Sequence, residues 1–591
     1  MLSGRKHDKI WFMEEIKKQL QQAIKKVLGQ EIEPELTVPP AETGADYATN
    51  VAMRLAKPLR KAPMLIAEEL KVELESSLSG VKIEVAAPGF LNFISPDEYF
   101  SDKITEIAQN ESKFADFISC NEYSDKMVVA EFSDPNPFKV LHVGHFYTSV
   151  VGDAISNLLQ HAQARVVRVN FGGDVGLHVG KTLWALLVNL SGHSLTIEDI
   201  AKCYVEGTRA YEEDEDAKVE IVRLNKIIYA IAELGEERSH ERLEVESLAE
   251  DFEVATAEMG QIVELYWQGR RLSYEYFKQF YASIGVKFDK YYPESTVADR
   301  GVEEVRAHLG AVYEESDGAI VYRGEKVGLH TRVFINREGV PTYEAKDVGL
   351  LFTKWADWHF DESVVITGNE QTDYMKVVLA SVKEYAPELV ERTSHLTHGL
   401  VKLPGNVKMS SRKGNFLKAV DVLEMVRDEL GGEKADSRVV LAAIKYAFLK
   451  YKMGGDIVFD PKESVAVNGN SGVYLLYSAV RAKKILQKVG TVVVDDETDE
   501  NKIAQETAAE KGLSKKVIQY QEVLQNAVIE KAPYKICNYL YELAQEFSRF
   551  YEKVRVAGNA REGELKNLVK VYLGVMEHGL GLMGIEVPEE M

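Results

Sequence analysis

Cysteine is nearly absent from this chain: three in 591 residues, at Cys120, Cys203 and Cys537. They stand far apart and form no CxxC, which excludes a zinc ribbon and points to a reducing compartment. Long apolar runs are missing too. No stretch approaches the roughly 20 residues that cross a bilayer, so no membrane role is expected. The N-terminal stretch MLSGRKHDKIWFMEEIKKQL has charge but lacks the apolar centre of a secretory signal. A cytoplasmic protein is the expectation. An excess of basic residues is also lacking, since the net charge is −22. That lowers the expectation of nucleic-acid binding without excluding it, because phosphate recognition depends on local basic patches. Much of the acid is clustered, in EEDED at 212–216 and DDETDE at 495–500, and reads as solvated faces or loops.

What is present is an ordinary globular composition, 45% hydrophobic and 28% charged, in a chain too long for one core. Length alone suggests roughly three or four domains. WFMEEIKKQLQQAIKKVLGQ has the spacing of an amphipathic helix ended by glycine. NVAMRLAKPLR and MLIAEELKVELESSL read as two more helices. VKIEVAAPGFLNFIS alternates like a strand pair broken at Pro88-Gly89. From 127 the pattern changes to α/β: strand MVVAEF, helix HFYTSVVGDAISNLLQHA, strand ARVVRVNF, which predicts a parallel sheet. Residues 190–285 are charged and helical and read as an insertion. AIVYR, RVFIN, SVVIT and LTHGLV read as further strands. From about Lys462 the chain is helical, interrupted by an acidic linker near 495–512.

Two short segments carry chemistry. LHVGH, at Leu141–His145, lies where a strand ends and a helix begins. Histidines three apart in a first helical turn could be caps or part of a metal site. The obvious further candidates, His161 and His178, have no ligand-like spacing with each other or with cysteine. In a doubly wound sheet this is instead where ligands bind. Gly144 would let a flat ring or phosphate approach the backbone, and a helix N-terminus favours phosphate. KMSSRKG, at Lys408–Gly414, gathers three cations and two hydroxyls in a polar loop. Such a loop is a solvated turn or a clamp on developing polyphosphate charge.

HVGH followed about 265 residues later by KMSSRKG resembles the paired HIGH and KMSKS signatures of class I aminoacyl-tRNA synthetases. The context SDPNPFKVLHVGH, VVGDAISNLL and RVNFGGDVGLHVG resembles the arginyl-tRNA synthetase family. GADYATNVAMRLAK with APGFLNF resembles that family's N-terminal domain. NGNSGVYLLYSAVRAKKIL and YKICNYLYELAQEFSRFYEKVRV resemble its anticodon-binding domain. The resemblance covers nearly the whole chain, most weakly at 190–285 and 490–515.

The resemblance implies a Rossmann-type parallel-sheet catalytic domain at 119–461, with the helical insertion at about 190–285. It also implies an α+β tRNA-elbow-binding domain at 1–118 and an all-helical anticodon-binding domain at 462–591. The implied reaction joins L-arginine to ATP as arginyl-adenylate and then transfers it to tRNA(Arg), in a monomer. Mg²⁺ is expected on the ATP phosphates, with no structural metal. His142, Gly144 and His145 would hold adenosine and phosphates. Lys408, Met409 and Ser410, with Ser411 and Lys413, would form the clamp. The family's fourth-position lysine is replaced by Ser411, so Lys413 or Arg412 would substitute. A desolvated guanidinium wants carboxylates and a flat wall. The family positions for this are Glu294, Tyr343 and Asp347, with Asn136 at the α-amino end and Gln371 nearby. Tyr343 and Asp347 are i, i+4 on a predicted helix and share a face. For tRNA, the implied contacts are Phe90 and Asn92 in the N-terminal domain and Tyr477, Arg481 and Arg555 in the C-terminal domain. Another class I synthetase, a non-catalytic tRNA-binding paralogue and a small nucleotidyltransferase are the competing readings. A glutamyl or glutaminyl enzyme would want cations where Glu294 and Asp347 stand.

Overall fold

The computed structural model describes residues 12–37, 39, 43–96, 98–189, 194–405, 417–490 and 500–591. Two compact units emerge, residues 1–106 and 107–591. In the first, helix Phe12–Leu28 buries Ile16, Leu20, Ala23 and Ile24, one face of a 3.6-residue repeat. Helices Val51–Leu59 and Pro63–Ser77 share its core with a three-stranded antiparallel sheet. In that sheet Phe90–Ile94 lies between Tyr47–Thr49 and Lys82–Ala86, so the predicted strand pair around Pro88-Gly89 is a hairpin.

The second unit is built on a five-stranded sheet. Its strands are β1 (Met127–Glu131), β2 (Arg165–Gly172), β3 (Lys290–Pro293), β4 (Glu362–Gly368) and β5 (Thr393–His398), in the order β5-β4-β1-β2-β3. Every pairing is parallel. Successive strands step outward from β1 to β3, and the chain then returns to place β4 on the other side of β1. The gap between β1 and β4 is therefore the switch point, where loops at the carboxyl ends diverge and leave a crevice. Helix α1 (Val143–His161) connects β1 to β2.

The helical insertion between β2 and β3 holds helices Ile197–Glu213, Glu215–Ser239, Arg242–Asp251 and Thr256–Ser283. They pack with helix Leu177–Asn189 around their own core, which includes Leu183, Leu224, Ile228 and Tyr266. AIVYR and RVFIN form strands as expected, but in a separate antiparallel sheet with Glu314–Ser316. LTHGLV does not form one strand. β5 ends at His398, and Val401–Lys402 pairs instead with Ile457–Val458. At the break, a side chain on Gly399 would overlap the Gly455 carbonyl. The chain ends in helices Gly472–Lys488, Glu500–Ile518, Tyr520–Ile529, Pro533–Lys553 and Glu562–Leu582. No helix among the described residues is long and apolar enough to cross a membrane.

Helices α2 (Ala298–Ala307) and α3 (Tyr343–Trp358) cross backbone to backbone. Two glycines permit this. A Cβ on Gly301 would overlap the Ala345 carbonyl, and one on Gly349 would overlap the Val297 carbonyl. Because Ala345 is helical backbone and Val297 is the N-cap of α2, neither can yield without moving a helix. Gly349→Val is therefore expected to destabilise this unit by about 1–3 kcal/mol through overpacking. Urea unfolding followed by tryptophan fluorescence checks it; an unchanged midpoint would contradict the crossing.

Candidate active site

The loop after β1 is held in an unusual backbone path. Ser133, Asp134 and Phe138 have φ of 76°, 47° and 63°, the left-handed region that non-glycine residues rarely occupy. Hydrogen bonds to β2 and its following turn maintain it. Asp134 Oδ1 accepts from the Phe171 amide at 2.8 Å, and Asn136 Oδ1 accepts from the Gly173 amide at 3.1 Å. Asn136 is thereby fixed at the carboxyl end of the sheet, beside the switch point.

The first signature then caps α1. His142 is the N-cap residue, and its Nδ1 accepts from the Gly144 amide at 3.1 Å. The His142 amide donates to His145 Nδ1 at 3.2 Å, a reciprocal capping box made by two imidazoles. The rings stack with centroids 3.7 Å apart. Burial, aided by Lys139, pushes His142 down to about 4. Burial and the neighbouring His142 push His145 well below its ordinary value. Both rings are neutral near pH 7, and since each Nδ1 accepts, each carries its proton on Nε2. Helix formation begins at Val143, two residues earlier than the sequence pattern indicated, because His142 supplies the cap.

The second signature, with Lys408, Met409, Ser410, Ser411 and Lys413, lies outside the described residues, as does Arg412. Its exit is described and meets the first signature. The Val143 amide donates to the Leu417 carbonyl, and the Ala419 amide to the Leu141 carbonyl, both at 2.9 Å. The chain leaving KMSSRKG is thus joined to the backbone of LHVGH. α1 is also tied to β5, where Thr148 Oγ1 and His398 Nε2 lie 2.7 Å apart.

Across the switch point, α3 presents Tyr343, Lys346 and Asp347. Glu294, expected to face a guanidinium freely, is already paired. Lys346 Nζ lies 2.7 Å from its Oε2, and both side chains are almost wholly buried. Burial pushes the Glu294 carboxyl up while Lys346 opposes it. For Lys346, burial works against the charge, but Glu294 and Tyr229 together outweigh it and the ammonium is raised. The physical reason for the pairing is desolvation: a carboxylate buried at this depth takes a cation from the protein. The sequence reading missed Lys346, although PTYEAKD places it beside Asp347. Tyr343 is 51% exposed, with its ring 5.1 Å from Lys346 Nζ.

Asp347 behaves differently. Its hydrogen-bond donor is the neutral Tyr374 hydroxyl, from the helix that follows β4. Burial pushes its carboxyl up to about 8; the Tyr374 bond opposes this, and Glu131 and Glu294 reinforce it. Gln371 is exposed in the turn between β4 and that helix. Asn136, Glu294 and the Gly173 backbone converge, since a Cβ on Gly173 would meet both Asn136 Oδ1 and Glu294 Oε1. The result is a crevice with capped, neutral histidines on one side and a carboxylate bound to a phenol on the other. Among the described residues no group of three metal-ligating side chains gathers.

The RNA candidates fall unequally. Phe90 is 36% exposed, whereas Asn92 on the same strand is 8% exposed and has little surface to offer. In the C-terminal helices, Tyr477 and Tyr551 are half-exposed. The Arg481 guanidinium lies 4.4 Å from the Tyr477 ring and 4.9 Å from the Tyr551 ring, and donates to the Tyr477 hydroxyl at 3.1 Å. Arg555 is exposed. Tyr539, in the same tyrosine-rich stretch, is core.

The family model for tRNA synthetases class I (R), catalytic domain, matches residues 104–460. The arginyl tRNA synthetase N terminal domain matches 14–94, and the DALR anticodon binding domain 475–591. An arginine–tRNA ligase of Bacteroides thetaiotaomicron is 28% identical over 598 aligned residues, covering 96% of this chain and 98% of its own. One of Treponema denticola is 26% identical, covering 89% and 88%. The arginyl-tRNA synthetase structure of Thermus thermophilus superposes with a TM-score of 0.71 at 23% identity, covering 98% and 100%. That of Plasmodium falciparum gives 0.73 at 18% identity, covering 98% of each chain, and both show the same fold. On the match across its catalytic sheet and both flanking domains, the chain belongs to the class I arginyl-tRNA synthetase family.

Proposed function

We propose that this chain activates L-arginine with ATP to arginyl-adenylate and transfers it to the terminal adenosine of tRNA(Arg), releasing AMP and pyrophosphate. The observation that carries the reading is Asp347, a carboxylate raised to about 8 whose partner is a phenol. A guanidinium is always charged and presents paired donors, so it supplies the missing countercharge. Asn136 and the second oxygen of Glu294 take the α-amino end, and Tyr343 and Gln371 border the pocket. The arginine carboxylate then attacks the α-phosphate in line, and pyrophosphate leaves.

Catalysis in such a displacement is positioning plus electrostatics. His142 and His145 offer Nε2–H donors without adding a charge, and Gly144, expected to admit phosphate, instead makes room for the His142 ring, which a Cβ there would meet at 2.9 Å. Lys408, Ser410 and Lys413, with Met409 and Ser411, act on the departing pyrophosphate. Mg²⁺ travels with the ATP phosphates. Residues 1–118 bind the tRNA elbow through Phe90 and Asn92, of which Phe90 has the exposed surface. Residues 119–461 carry the chemistry. Residues 462–591 read the anticodon through Tyr477, Arg481 and Arg555. The protein works in the cytoplasm as a monomer.

The direct test is pyrophosphate exchange with each of the twenty amino acids, with and without total tRNA. Exchange with arginine alone is expected; exchange with another amino acid, or with none, overturns the substrate assignment. Asp347→Asn should raise the arginine KM about thirtyfold or more, since a buried charge pair is lost. In the wild type, arginine must displace a proton from Asp347. Its KM should therefore fall about tenfold from pH 6 to pH 7 and flatten near 8. A flat profile would contradict this. Arg481→Ala should raise the tRNA KM about five- to a hundredfold by loss of base stacking, with the arginine KM unchanged. Equal tRNA KM values would remove the patch from the interface.

A further inference from the structure

The helical insertion does not stand apart from the amino-acid pocket. Two of its helices reach Glu294 by separate routes. From helix Glu215–Ser239, Tyr229 places its ring 5.3 Å from Lys346 Nζ, a cation–π contact with that ammonium. Lys346 in turn holds Glu294 Oε2 at 2.7 Å. From helix Thr256–Ser283, the Arg270 guanidinium donates to Asp174 Oδ2 at 2.8 Å. Asp174, with no exposed side-chain surface, accepts from the Ser295 amide at 2.9 Å and the Ser295 hydroxyl at 2.7 Å. Ser295 is the residue after Glu294. The hydroxyl of Tyr266, on the same helix as Arg270, donates to the Asp174 carbonyl at 3.3 Å.

The two routes constrain different parts of Glu294. Lys346 fixes one carboxylate oxygen and so turns the other toward Asn136 and Gly173. Asp174 fixes the backbone of the turn that carries it. Neither constraint comes from the parallel sheet alone, because β3 ends at Pro293 with a short 3₁₀ turn from Glu294 to Thr296. A turn this short has few bonds of its own to resist displacement. Arg270 also neutralises a buried acid next to the pocket, which keeps Asp174 from competing for a cationic substrate.

We propose that the helical insertion is a working part of the amino-acid site, in which Tyr229 and Arg270 are positioning residues that set the orientation of Glu294 for arginine. Tyr229 acts through Lys346, and Arg270 through Asp174 and Ser295. Neither touches the substrate. The proposal rests on the arginine-activating reading given above and assigns that site a second layer of residues. It predicts a selective effect: ATP meets the opposite wall of the crevice, so its binding is spared.

The test is steady-state pyrophosphate exchange on the full-length protein carrying Tyr229→Leu, Arg270→Met or Arg270→Lys, with thermal unfolding of each. Tyr229→Leu removes the ring from beside Lys346, so the arginine KM should rise about fivefold. Arg270→Met leaves Asp174 buried and unpaired, and the arginine KM should rise about twentyfold. Arg270→Lys restores the charge and should recover most of that loss. In all three the ATP KM should stay within about twofold of wild type. Folded variants with an unmoved arginine KM overturn the proposal. So does an equal rise in the arginine and ATP KM, which marks a general loosening. A wild type without arginine-dependent exchange would overturn the functional reading and this inference with it, whereas an active wild type beside unaffected variants sinks this inference alone.

Discussion

The backbone contact between α2 and α3 is the constraint on which the amino-acid pocket depends. Glu294 stands just before α2, and Lys346 and Asp347 stand in the first turns of α3. Only when the helices touch at Gly301 and Gly349 can Lys346 reach Glu294 across 2.7 Å. Once that pair forms, the two charges cancel in a buried place and Asp347 is left with a phenol. The electrostatic character of the pocket therefore follows from steric access at two glycines. Side-chain chemistry supplies the charges, but helix packing decides which are neutralised and which remain for a substrate.

The nucleotide side depends on α1 in a similar way. Its first turn is closed by His142 and His145, and the exit of the second signature is hydrogen-bonded to the residues just before it. The remainder of the helix is anchored in the C-terminal domain. Asn157 donates to the Leu582 carbonyl at 3.2 Å, and Lys445 beside it donates to the Gly584 carbonyl at 2.7 Å. At the far end His161 lies 3.3 Å from His578. One helix of 19 residues thus joins the crevice to the domain that carries the Tyr477–Arg481–Tyr551 patch. The first signature and the C-terminal patch share one packed body.

Much of this was legible in the sequence, and the exceptions have physical causes. The parallel sheet, the capped helix at HVGH and the helical insertion follow from apolar periodicity and from glycine and histidine at a strand–helix junction. β3 was missed because KYYP is four residues long and too short for alternation to register. LTHGLV misled because an apolar run does not reveal a backbone collision at Gly399. The shared face of Tyr343 and Asp347 was readable from i, i+4 spacing, but the Lys346–Glu294 pair was not. Its members lie 52 positions apart, and only the helix crossing brings them together. Arg270 and Asp174, 96 positions apart, escaped for the same reason. Asn92 shows the converse: its motif was recognisable, while its burial came from the strands on either side.

The central claim is that Asp347 waits, largely protonated, for a guanidinium. Proton release on binding measures this directly. Arginine is titrated into the protein at pH 7 by calorimetry in two buffers of different ionisation enthalpy. With the carboxyl at about 8 in the empty site, most of a proton should leave per arginine bound, and none from the Asp347→Asn protein. Arginine binding to the wild type without proton release would contradict the account.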